Sequence, residues 1–145
     1  MSEVLIGRLA TGIGQGRHFT RLDWARAQFM AKLGIDPFPG TVNIVVDDPD
    51  AMPVWVRLKR TPGIRIDNPN DGPHDCDARC YPVRIDGAGR HHGPIDAAIV
   101  VPEIDGYPSA QVELIAPIGI RDALAIEDGD QLRIEIKPAA RPGFA

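Results

Sequence analysis

Short apolar runs that alternate with polar residues dominate this chain. In Leu132-Arg133-Ile134-Glu135-Ile136-Lys137 every second position is apolar, the pattern of a strand with one face buried. Runs of this kind predict strands at residues 4–11, 41–46, 54–59, 79–86, 95–101, 111–116 and 131–137. Residues 97–101 are apolar throughout, as expected of a strand covered on both faces. One segment has a helical period instead. Leu22, Ala25, Phe29 and Leu33 recur at three- and four-residue spacing, with Thr20 as the expected N-cap and Gly34 as the stop. A second, short helix is expected at residues 119–124. Residues 60–78 are polar and rich in proline and glycine, and read as a long loop.

Seven short strands and one good helix predict a mainly β fold: a small closed barrel of six or seven strands with one or two short helices. The 14 prolines and 15 glycines fit this, because they cut the chain into pieces too short for long helices. At 145 residues the chain is long enough for one core, so residues 1–137 are expected to form a single domain and 138–145 a frayed tail. A net charge of −4 with scattered Lys and Arg argues against nucleic acid as a partner. No apolar run approaches membrane-spanning length, and the expected location is the cytoplasm. Two cysteines make no disulfide scaffold.

Two segments carry candidate chemistry. In Pro39-Gly40-Thr41-Val42-Asn43 the turn pair precedes Thr41 and Asn43, which point to one face of an extended chain. Their hydroxyl and amide oxygens are hard and neutral, which suits Mg²⁺ when a polyphosphate brings most of the negative charge. A turn leading into a half-buried strand explains the same residues without a metal. Upstream, Gly12-Ile13-Gly14-Gln15-Gly16-Arg17 can bring bare N–H groups and a guanidinium against an anion. Its spacing is neither the dinucleotide fingerprint nor a Walker loop. A Gly-rich hairpin is the plain alternative. Glu113 interrupts an apolar strand, so it must be paired, point outward or face a cavity. His74, Cys76, Cys80, His91 and His92 match no familiar zinc spacing, and Cys80 is expected to be a buried, inert thiol.

Taken together, these segments resemble the archaeal-type, CTP-dependent riboflavin kinases. The N-terminal half of the resemblance runs through Gly12-Ile13-Gly14-Gln15-Gly16, 29–34 and Pro37-Phe38-Pro39-Gly40-Thr41-Val42-Asn43. The C-terminal half runs through Cys80-Tyr81-Pro82, 95–99, Glu113-Leu114-Ile115-Ala116-Pro117 and 124–130, in the family's order. The resemblance implies a cradle-loop β-barrel that transfers the γ-phosphoryl of CTP to riboflavin, giving FMN and CDP. It further implies that Gly12, Ile13, Gly14, Gln15, Gly16 and Arg17 wrap the nucleotide phosphates and that Ile118, Gly119, Ile120 and Arg121 line the nucleotide. Thr41 and Asn43 would hold Mg²⁺, and Asp105 and Glu113 would meet the flavin. Gln15 stands where the family usually carries Glu, and Asp105 where it carries a small hydroxyl. A barrel that binds nucleotide or flavin without turnover is the competing function, as is a kinase of another small hydroxyl compound.

Overall fold

The computed structural model describes residues 3–10, 20–69, 77–87, 94–103, 106 and 109–137. Among them are seven strands: β1 (Val4–Ala10), β2 (Val42–Val45), β3 (Ile64–Ile66), β4 (Ala78–Asp86), β5 (Ile95–Pro102), β6 (Gln111–Ile115) and β7 (Gln131–Ile136). All their pairings are antiparallel, in the order β3-β4-β5-β6-β2-β1-β7, and β4 also pairs with β7. That last pairing, from Val83↔Ile136 to Asp86↔Arg133, closes six strands into a barrel. β3 lies outside the closed ring, on the part of β4 that β7 does not reach. The fold expectation is met.

Alternation along the strands divides the apolar side chains into two cores. Leu5, Leu9, Ile44, Val83, Ile85, Ile99, Leu114, Leu132 and Ile134 fill the barrel. Helix α2 (Met52–Lys59) adds Trp55 and Leu58 to this core, and helix α3 (Ile120–Leu124) adds Ile120 and Leu124. α2 follows the C-terminal end of β2 and α3 that of β6, and these strands are antiparallel, so the helices sit at opposite mouths of the barrel. The second core lies outside the barrel wall. There Ala25 of helix α1 (Asp23–Gln28) and Phe29 of its π-helical continuation (Phe29–Leu33) pack on Ile66, Cys80, Ala98, Val100 and Ile115. β5 therefore buries both faces, as its unbroken apolar run requires.

Three expectations need correction. Residues 54–59 are not a strand but most of α2. Pro53 occupies the first turn, and Ala51, Trp55 and Leu58 form a buried stripe at helical spacing. Val54 and Val56 are β-branched, and packing overrides their local preference. The 60–78 segment is not all loop, because Ile64–Ile66 adds β3 to the edge of β4. Finally, Thr20 does not cap α1. The cap position is Leu22, without a side-chain cap bond, and the Thr20 hydroxyl instead accepts the N–H of Gly40 at 3.0 Å. The stop at Gly34 (φ 71°), the apolar stripe of α1 and the short helix ending at Leu124 stand as expected. The expected tail at 138–145 lies outside the described residues. No helix among the described residues is long and apolar enough to cross a membrane.

One backbone position offers a stability test. Ala125 closes α3 in the left-handed region at φ 52° and ψ 48°, the region where a Cβ costs about 1–2 kcal/mol. Ala125→Gly removes that cost and adds roughly 0.5–1 kcal/mol of unfolded-state entropy. The expected result is a protein more stable by about 0.5–1 kcal/mol, read as a melting temperature higher by a few degrees. A lower melting temperature would contradict the strain at this cap.

Candidate functional site

The site grows from the turn that launches β2. Gly40 has φ 97°, a conformation that a side chain resists, and its N–H is held by the buried Thr20 hydroxyl. The next residue, Thr41, enters the sheet with its hydroxyl donating to Glu113 Oε1 of β6 at 2.8 Å. Asn43 lies directly across from Glu113 in the β2–β6 ladder. Its Oδ1 accepts from Gln111 Nε2 at 3.3 Å. Alternation puts Thr41, Asn43, Gln111 and Glu113 on one face of β2 and β6, opposite to the face of Ile44 and Leu114 in the barrel core. Glu113 has no exposed surface, whereas Thr41 and Asn43 are half-buried.

This donor set fits a hard divalent cation. A hydroxyl that donates its proton to a carboxylate keeps both lone pairs, and an amide oxygen with one accepted bond keeps one. Both are hard oxygens, and the adjacent carboxylate brings one negative charge. Thr41 bonds to Glu113 and Asn43 pairs with it across the ladder, so the three lie side by side.

The described residues on either side of the Gly-rich segment meet at the start of β2. Ala10, the last residue of β1, pairs with Asn43, and Thr20, the first described residue after the segment, bonds to Gly40. Gly12, Ile13, Gly14, Gln15, Gly16 and Arg17 themselves lie outside the described residues, but the two anchors of residues 11–19 flank Thr41. Asp105 lies outside the described residues as well, as do His74, Cys76, His91 and His92. Cys80 is buried in the outer core, where desolvation pushes its thiol pKa well above the usual value, in line with an inert thiol.

Ile118, Gly119, Ile120 and Arg121 line a cleft of about 250 Å³ whose other wall is Phe38, Pro39, Gly40, Thr41 and Val42. Phe38 and Ile118 are half exposed at its rim, and the Phe38 ring lies over Gly119, where an added Cβ would meet it at 3.4 Å. Arg121 reaches Asp128 at 2.8 Å in an exposed ion pair, an arrangement of low strength that a competing anion can replace. Phe38, Thr20 and Gln111 were not singled out from the sequence as site residues. Gln111 carried a signal, since it stands two residues before Glu113 and shares its face. Thr20 carried a misleading one.

The profile of the family labelled CTP-dep_RFKase, described as a domain of unknown function (DUF120), matches residues 9–136. The chain belongs to this family. Among similar proteins, one from Methanosarcina mazei named riboflavin kinase is 39% identical over 140 residues, covering 96% of this chain and 59% of its own length. Proteins of the same name from Haloquadratum walsbyi and Pyrobaculum aerophilum are 39% and 36% identical, covering 92% and 91% of this chain and 56% and 60% of their own. The chain therefore spans somewhat more than half the length of these relatives. The family match covers every strand of the barrel, with β1 entering at its last two residues.

Proposed function

We propose that this chain is the phosphotransferase part of a riboflavin kinase, moving the γ-phosphoryl of CTP to the 5′-hydroxyl of riboflavin to give FMN and CDP. The observation that carries this reading is the double anchoring of residues 11–19 beside Thr41 and Asn43. Ala10 and Thr20, which bracket that segment, lie beside this pair of hard oxygens, and this supports a phosphate-wrapping role for it, since phosphoryl transfer is mostly positioning and charge neutralisation. The names of the relatives supply the acceptor, and the family label supplies the donor.

In this reading the backbone N–H groups of Gly12, Ile13, Gly14, Gln15 and Gly16, with the Arg17 guanidinium, hold the phosphates and spread their charge. The cleft takes the rest of the nucleotide, between Phe38 on one side and Ile118, Gly119, Ile120 and Arg121 on the other. Thr41 and Asn43 would hold Mg²⁺, which neutralises phosphate charge as the transfer proceeds. Asp105 would lie on the acceptor side, and Glu113, which accepts from Thr41, at its border with the cation site. The flavin hydroxyl oxygen forms the new bond to γ-phosphorus, the bond to the β-phosphate oxygen breaks, and the hydroxyl proton is released. Most of the work is positioning, so rigid strands suit it.

Calorimetry tests the nucleotide half. CDP with Mg²⁺ is expected to bind the wild-type chain, and Gly14→Val is expected to weaken it by tenfold or more, on the order of 1.4 kcal/mol. A valine there brings a β-branched side chain to where N–H groups approach phosphate. Unchanged CDP affinity in folded Gly14→Val protein would remove the loop from the site.

A further inference from the structure

We infer that Glu113 is a positioning residue for the cation site: it fixes the rotation of the Thr41 hydroxyl so that the oxygen turns its lone pairs, and not its proton, toward the ion. The inference rests on the metal reading of Thr41 and Asn43. A threonine hydroxyl is a free rotor with one proton and two lone pairs, and only the lone pairs can face a cation. Here the proton is committed, because Thr41 Oγ1 donates to Glu113 Oε1 at 2.8 Å.

The carboxylate is well placed to hold that bond still. Glu113 sits in the middle of β6, in register with Asn43 on one side and Val100 on the other, and it is fully buried. On its own face Val100 and Ile115 are apolar, so a fully buried carboxylate is costly here. Gln111 does for the Asn43 amide what Glu113 does for the hydroxyl, donating from Nε2 to Oδ1. Two side chains of β6, two residues apart, thus orient two candidate ligand oxygens of β2. This is the arrangement by which groups behind a metal ligand set its direction.

The test measures Mn²⁺ binding, not turnover. Free Mn²⁺ is followed by electron paramagnetic resonance as the ion is titrated into the full chain with saturating CDP, against CDP without protein as the blank. The variants are Glu113→Gln and Glu113→Asp, each made with Thr41 and with Thr41→Val. With Thr41 present, both are expected to weaken binding roughly 10–100-fold, the usual effect of removing a partner behind a ligand. Aspartate is informative because it keeps the charge and loses the reach. With Thr41→Val, Glu113→Asp is expected to change affinity by less than about twofold, since the group it acts through is gone, and Glu113→Gln is expected to cost clearly less than it does with Thr41 present, the remainder being the lost charge.

Near-wild-type affinity in Glu113→Asp would mean that charge alone matters and would overturn the inference. An equal loss from Glu113→Gln in both backgrounds would overturn it too, because the effect would not pass through the hydroxyl. If Glu113→Gln does not fold, judged by circular dichroism, the aspartate pair carries the same comparison. The metal reading fails separately: wild-type protein that binds no Mn²⁺, or Thr41→Val that binds it as wild type does, would remove the site itself.

Discussion

Thr41→Ala and Asn43→Ala are each expected to lower metal-dependent FMN formation by roughly 100-fold or more, the scale seen when a group that stabilises transition-state charge is removed. The two substitutions differ in what they do to the fold. Thr41→Ala takes a hydrogen-bond donor from the buried Glu113 carboxylate and is expected to cost about 1–3 kcal/mol of stability. Asn43→Ala removes an accepted bond from Gln111, which is only half-buried, and is expected to cost less. Activity and stability should therefore rank differently, with both variants severely impaired and Thr41→Ala the less stable. Product chromatography over a Mg²⁺ series, with thermal melts of the same samples, gives both quantities. Near-wild-type FMN formation by both variants at limiting Mg²⁺ would take the pair out of the mechanism.

Gly63→Ala is expected to be strongly destabilising, at roughly 3 kcal/mol. Gly63 has φ 61°, which costs an alanine about 1–2 kcal/mol. An added Cβ would also stand 2.8 Å from the Cys80 carbonyl oxygen and 2.7 Å from Tyr81 Cε1. Neither neighbour can move freely. The carbonyl belongs to β4 beside its partner β3, and the Tyr81 hydroxyl donates to the Thr61 carbonyl at 2.8 Å while accepting from Arg79 at 3.1 Å. Crowding of this kind adds about 1–3 kcal/mol. In urea the midpoint should fall by about 1–2 M. A midpoint within experimental error of wild type would show that the turn before β3 relaxes in a way these contacts do not allow.

The barrel was legible because alternation is a local signal. Leu132, Ile134 and Ile136 announce their face without reference to any partner, and the unbroken run of β5 announces burial on two faces. α2 was misread where local preference and tertiary packing disagree: Val54 and Val56 look like strand residues, and only the mouth of the barrel makes Trp55 and Leu58 a helical stripe. β3 is three residues long, too short for alternation to show, and exists because β4 offers an open edge. The site followed the same rule. Thr41 and Asn43 could be paired from their spacing alone, but the bond from Thr41 to Glu113 spans 72 positions and depends on the β2–β6 register. Thr20 was visible as a residue that likes to bond backbone, and the sequence could not say whether the N–H it binds lies in α1 or in the turn at Gly40.

The proposed reaction, a nucleotide-dependent transfer of phosphate to riboflavin, is assembled on one face of this barrel at the start of β2. Its most direct test is incubation of the chain with riboflavin, Mg²⁺ and each of CTP, ATP, GTP and UTP in turn, with chromatographic detection of FMN and of the nucleoside diphosphate. The expected result is FMN and CDP in equal amounts from CTP, little product from the other three, and none when the metal is chelated. FMN formation unaffected by chelation, or no FMN from any of the four nucleotides in protein that is folded and binds CDP, would contradict it.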